Sequence, residues 1–195
     1  MGDVGALRRV REYMDAHPAR ALHALRDILR ADPDFIAARV DCGIIMYRLA
    51  RYDEGENELR CALELVSGEK QYIPYFYLGR LNVERGSLRE AQGWFEKAIV
   101  LEPNDATPRI MLGATLAKLG ELDAAEAAHR SATLCSAGCI DEAFLNLGLV
   151  LRATERYTEA LACFNEALEI TPQYSAAMLA KEDVTQVLRV MEAAP

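Results

Sequence analysis

His129, Cys135 and Cys139 fall within eleven residues of one another, and these are side-chain types that hold zinc. A tetrahedral site needs four ligands, usually supplied as paired CxxC or HxxxH elements, and the chain has no second pair. The remaining cysteines, Cys42, Cys61 and Cys163, are scattered. An odd total of five argues against a disulfide framework and for a reducing compartment. Cysteine with histidine could also form a nucleophile pair, whose members meet in space and not in sequence. His17 and His23 lie near the start with no serine or cysteine partner in pattern. No nucleophile elbow, phosphate loop or dinucleotide fingerprint accompanies them. The reading is of a protein that is not an enzyme and carries no metal or cofactor.

Composition narrows the class further. Of the 195 residues 51% are hydrophobic, ample for a folded core and too many for disorder. A net charge of −8 disfavours phosphate backbones and anionic membranes, so nucleic acid is not an expected partner. The opening MGDVGALRRVREYMD lacks the apolar core of a signal peptide, and no apolar run approaches a membrane span. A cytoplasmic protein with no membrane partner is the expectation.

The elements that would position any site come from a pattern that returns about every 34 residues. Gly43, Gly79, Gly113 and Gly148 mark it, with Arg9 in the same place of a degenerate first copy. Twelve residues on stand Ala21, Gly55, Ala91, Ala125 and Ala160. Small residues at both places let two helices approach closely. Sixteen after the marker come Leu25, Leu59, Phe95, His129 and Phe164, bulky groups expected to insert between one unit and the next. Three further on are Ile28, Ala62, Ala98, Ala132 and Ala167. Pro33, Pro103 and Pro172 stand where one unit ends and the next begins.

This set resembles the tetratricopeptide repeat, a helix-turn-helix unit with small and aromatic residues at fixed offsets. The clearest copy is DEAFLNLGLVLRATERYTEALACFNEALEITPQY, residues 141–174. The resemblance implies an all-α, right-handed α-solenoid of about eleven helices. Its expected divisions are a degenerate first repeat over 2–35, repeats at 36–71, 72–105, 106–140 and 141–174, and a capping helix over 175–195. In that last helix Ala177, Ala180, Val184, Val187, Leu188 and Met191 share one face. The second repeat carries two extra residues before Tyr72, which predicts a longer link. The fourth has lost its proline to Ala137 and its aromatic to His129, and the link CSAGCI is one residue longer. Looser packing or a change of pitch is expected at both joints.

The resemblance also implies that the first helix of each unit lines a concave side. The stripe on that helix face contains Val40, Asp41, Ile44 and Tyr47, then Ile73, Phe76, Tyr77, Arg80 and Glu84. It continues with Ile110 and Met111, and with Leu145, Asn146 and Leu149. An apolar and aromatic stripe with few charges reads as a groove for a peptide or helix bearing apolar anchors. The expected function is a non-catalytic scaffold or adaptor with a protein or peptide ligand. The alternative is a self-assembling subunit, a homo-oligomer joined through a terminal repeat or tail. Relatives that hold the acidic tails of Hsp70 and Hsp90 use a clamp of lysine, asparagine and arginine. Here the matching places hold Val40, Ile44, Tyr77, Thr107 and Met111, none basic or amide. One unit later only Arg80 and Asn146 qualify, so such a clamp is not expected.

Overall fold

The computed structural model describes residues 3–193, and among these residues it has eleven α-helices and one short 3-10 helix. The chain divides into two compact units, Met1–Leu101 and Glu102–Pro195. The first contains α1 (Val4–Arg11), α2 (Pro18–Ala31), α3 (Ile36–Arg48), α4 (Tyr52–Leu65), α5 (Tyr72–Glu84) and α6 (Leu88–Leu101). The second contains α7 (Ala106–Lys118), α8 (Leu122–Thr133), α9 (Ile140–Ala153), α10 (Tyr157–Ile170) and α11 (Ser175–Ala193).

The hairpins α3–α4, α5–α6, α7–α8 and α9–α10 are closed by the same device. A β-carbon on Gly43 would stand 2.5 Å from Leu59 Cγ, and one on Gly113 would stand 2.5 Å from His129 Cε1. Phe95 and Phe164 occupy the matching seats on Gly79 and Gly148. The bulky side chain therefore rests on the bare backbone of its own hairpin. It also reaches its neighbour, since Leu59 packs with Leu78 and Leu81, and Phe164 with Ala177 and Ala180. The first copy lacks this seat. Arg9 is exposed, and the eight-residue α1 buries Leu7 and Val10 against Leu22, Leu25 and Ile28 instead.

The turn inside each hairpin is also shared. The amides of Arg51, Ser87, Glu121 and Arg156 donate to the carbonyls of Met46, Asn82, Leu116 and Leu151, five residues back. This bond satisfies a carbonyl left open at the helix end, and it needs a left-handed residue at the corner. Gly86 and Gly120 supply it at φ +78° and +80°. Ala50 and Glu155 adopt φ 55° and 61° at the same corner.

The two irregular links differ from each other. The insertion before Tyr72 coils into the 3-10 helix Gly68–Gln71. The CSAGCI link is stitched down and not loose. Ala106 N–H donates to the Ala137 carbonyl at 2.9 Å, and Ala137 N–H to the Asn104 carbonyl at 3.1 Å. Gly138 follows at φ +88°, where a β-carbon would collide with the Asp105 carboxylate.

The terminal α11 buries Ala177, Ala180 and Val184 on the α9–α10 hairpin. Val187 and Leu188 are half-buried, while Met191 is exposed.

Candidate functional site

In the first unit the first-helix face is aromatic. Tyr47, near the end of α3, meets Tyr77 of α5 edge-on with ring centroids 6.1 Å apart. Phe76 lies edge-on to Tyr77 at 5.5 Å, stacks on Tyr72 at 6.2 Å and leans on buried Phe95 at 6.1 Å. Arg80, one turn after Phe76 and Tyr77, places its guanidinium 4.6 Å from the Tyr47 ring centre, 5.7 Å from Tyr77 and 5.8 Å from Phe76. Its Nη2 donates to the Tyr47 hydroxyl at 2.9 Å. Tyr47, Phe76, Tyr77 and Arg80 are all half-buried.

Val40 and Ile44 are half-buried and Ile73 is exposed. Val40 and Ile73 line a cavity of about 530 Å³ with Phe35, Ala37, Val66 and Pro74. Glu84 is exposed at the end of α5. Asp41 departs from the expectation. It is buried and takes two hydrogen bonds from Arg11, Nε at 2.6 Å and Nη2 at 3.1 Å, so it ties α1 to α3 and is not open to a ligand. The ion pair holds the Arg11 guanidinium above its ordinary pKa, chiefly through the hydrogen bond.

The second unit differs. Ile110 is buried with Ala106, Ala132 and Ala143, so its side chain belongs to the core, while Met111 lies half-buried beside it. Leu145 is also buried, packed against the Ala177 and Ala180 side of α11. It reaches the surface only as the floor of a groove of about 450 Å³, whose other walls include Leu149, Leu179 and Ala180. Arg152 and Asp183 close one side of that groove as a 2.9 Å ion pair. Asn146 is half-buried and Leu149 is partly exposed. The α11 residues were missed from sequence because that helix read as a cap. The signal was present, since Leu179 stands 34 residues after Leu145, in the place of a further first helix.

The side chains that could do chemistry do not gather at one place. Among the described residues no cluster of three or more His, Cys, Asp or Glu could hold a metal. His129 is buried on Gly113, its Nδ1 has no hydrogen-bond partner, and burial pushes its pKa down to about 4. Burial drives the Cys42 thiol up to about 12, and also raises Cys163 and Cys139, the last beside Glu142 and Asp141. These thiols are the reverse of activated. His23 is an exposed partner of Asp27 at 3.8 Å.

Comparison with known proteins agrees with this architecture. The family model described as Tetratricopeptide repeat matches residues 141–174. Human Tetratricopeptide repeat protein 7A is 34% identical over 92 residues, which is 47% of this chain and 11% of that protein. The chain thus spans a small fraction of that relative's length. Among solved structures, YrrB, described as a TPR protein with an unusual peptide-binding site, aligns with a TM-score of 0.68 at 23% identity, covering 92% of this chain and 91% of its own. MamA aligns at 0.70 and 22%, over 87% of this chain and 95% of its own. The C-terminal part of a TPR repeat-containing protein from Cytophaga hutchinsonii aligns at 0.75 and 15%, over 91% and 69%.

Residues 141–174 thus match a tetratricopeptide repeat, and the chain has the all-α repeat solenoid fold. The fold is one of protein–protein interaction scaffolds, and proteins of the family are generally non-catalytic adaptors. Among the described residues no helix is long and apolar enough to cross a membrane.

Proposed function

We propose that this chain is a non-catalytic adaptor that holds a peptide or helix of a partner protein by apolar anchors on the face of its first helices. The observation that carries the reading is the half-buried cluster of Tyr47, Phe76 and Tyr77 on α3 and α5. Aromatic side chains held rigidly at a surface offer much contact area for little lost freedom, and such anchors dominate binding energies. Val40, Ile44 and Ile73 extend the apolar surface in the first unit; in the second, taken by itself, Met111, Asn146 and Leu149 are the candidates on the first-helix face. A buried thiol and a buried neutral histidine favour no catalytic reading. The test is hydrogen exchange with and without a captured partner. Slowed exchange over α3 and α5 supports the proposal; protection confined to α4 and α6 would overturn it.

Self-assembly is the second reading, favoured by α11, where Leu179, Val190, Met191 and Met178 are 70%, 65%, 57% and 53% exposed. Apolar side chains exposed in such numbers on one helix suit a contact between copies. Sedimentation decides it: a mass that rises with concentration, and stops rising when residues 175–195 are removed, assigns the tail to assembly.

A further inference from the structure

We infer that Arg80 is a docking point for a side-chain carboxylate, so that the bound segment carries an aspartate or glutamate beside its apolar anchor. This deepens the adaptor reading and rests on it. Among the described residues of the first unit, eight other arginines meet acids: Arg11, Arg26, Arg30, Arg39, Arg48, Arg51, Arg60 and Arg85. Arg11 pairs with Asp41, Arg39 with Glu58 and Arg48 with Asp15. Among the described residues no carboxylate pairs with Arg80, and Glu84 on the next turn leaves it unengaged. Rings take the place of an acid here: Tyr47, Phe76 and Tyr77 surround the guanidinium at 4.6–5.8 Å from its central carbon.

The chemistry of that arrangement is specific. A guanidinium has five N–H donors in one plane, and contact through its face leaves the donor edge free. One donor is used on the Tyr47 hydroxyl. The remaining edge can take a carboxylate in two parallel bonds, and the rings fix the side chain so that little rotamer freedom is lost. The floor around it is aromatic, so the group beside the acid must be apolar. A single cation on a chain of net charge −8 suits one carboxylate better than a doubly charged phosphate, which needs more positive charge around it. Nor is this a clamp for a chain terminus, since in the register that contains Arg80 only one further place, Asn146, holds a basic or amide residue.

The test is panning of a phage-displayed random 12-residue library on the full chain, followed by affinity measurements on the selected peptide made with Glu or Gln at the acidic place. The expected result is enrichment of Asp or Glu next to an aromatic or aliphatic residue, with the Gln peptide binding about tenfold weaker. Arg80→Gln should remove that difference while its melting and its preference for apolar residues stay near wild type. Arg80→Lys, which keeps the charge and loses the fork, should recover only part of it. Apolar selections without acidic enrichment, or a Glu preference unchanged in Arg80→Gln, would overturn the Arg80 assignment and leave the groove standing. Selection of no peptide at all would remove the groove reading and this inference together.

Discussion

The ring of Phe95 lies 2.5 Å from the point where a β-carbon on Gly79 would stand, and both residues are buried. The repeat is built around this contact, because a bare turn of one helix is the socket for the largest side chain of its partner. It sets helix propensity against packing, and packing wins. Gly79→Ala gains up to about 1 kcal/mol of helix propensity but collides with a whole ring that has nowhere to go, which costs roughly 1–3 kcal/mol. Gly93 is the internal control, with no atom within 4 Å of its added β-carbon. Gly93→Ala should raise the urea midpoint, whereas Gly79→Ala should lower it. A stabilised Gly79→Ala would show that the socket is not tight.

His129 fills on Gly113 the socket that phenylalanine fills on Gly79 and Gly148. Its folded pKa is about 4 against an ordinary 6.5, so the unfolded chain binds the proton more tightly. Stability is therefore unaffected above pH 6.5 and falls as pH drops from there towards 4. The loss reaches about 3 kcal/mol at the lower end. His129→Phe should stabilise the fold at neutral pH and remove this part of the acid sensitivity. Melting curves at pH 7 and pH 4.5 check both statements, and equal acid slopes in the two proteins would contradict them.

Asn82 is the matching fault in the first unit. It stands where the other hairpins have Met46, Leu116 and Leu151, and its buried Oδ1 has no hydrogen-bond partner although Nδ2 reaches the Leu78 carbonyl. Asn82→Leu should stabilise by about 1 kcal/mol, read from the denaturation midpoint. A loss of stability would mean that the amide is satisfied in solution.

The hairpin corners give a third comparison. Ala50 and Glu155 hold the left-handed conformation that Gly86 and Gly120 hold without strain. Glu155→Gly should therefore raise the melting temperature, by an amount equivalent to roughly 1 kcal/mol, although glycine normally weakens helical proteins. A fall would mean that the Glu155 side chain supports the corner.

Much of this was legible in advance, for a physical reason. A repeat makes the same packing demand at every copy, so glycine, alanine and bulky residues return at fixed offsets and can be counted. What was not legible depends on partners outside that period. Asp41 has the spacing of a groove residue, yet Arg11, 30 residues away, holds it inside. Ile110 and Leu145 lie on the edge of the helix face that neighbouring helices cover. The tightness of the CSAGCI link comes from main-chain bonds between residues 104–106 and Ala137, and side-chain types carry little trace of those. The left-handed corner was readable at Gly86 and Gly120 but hidden at Ala50 and Glu155. Arg80 reads in the sequence as one of the few charges of the stripe; only the geometry puts it among three rings.

The central claim is that partner protein is held by the aromatic face of α3 and α5. The direct measurement is affinity capture from cell extract by the wild type beside a Phe76→Ala/Tyr77→Ala variant, with circular dichroism and melting measured on both. Loss of a captured protein by a variant that retains its helicity, together with a Kd for that protein at least tenfold weaker, is the predicted result. Equal capture and equal affinity would contradict the claim and shift attention to α11 and to association between copies.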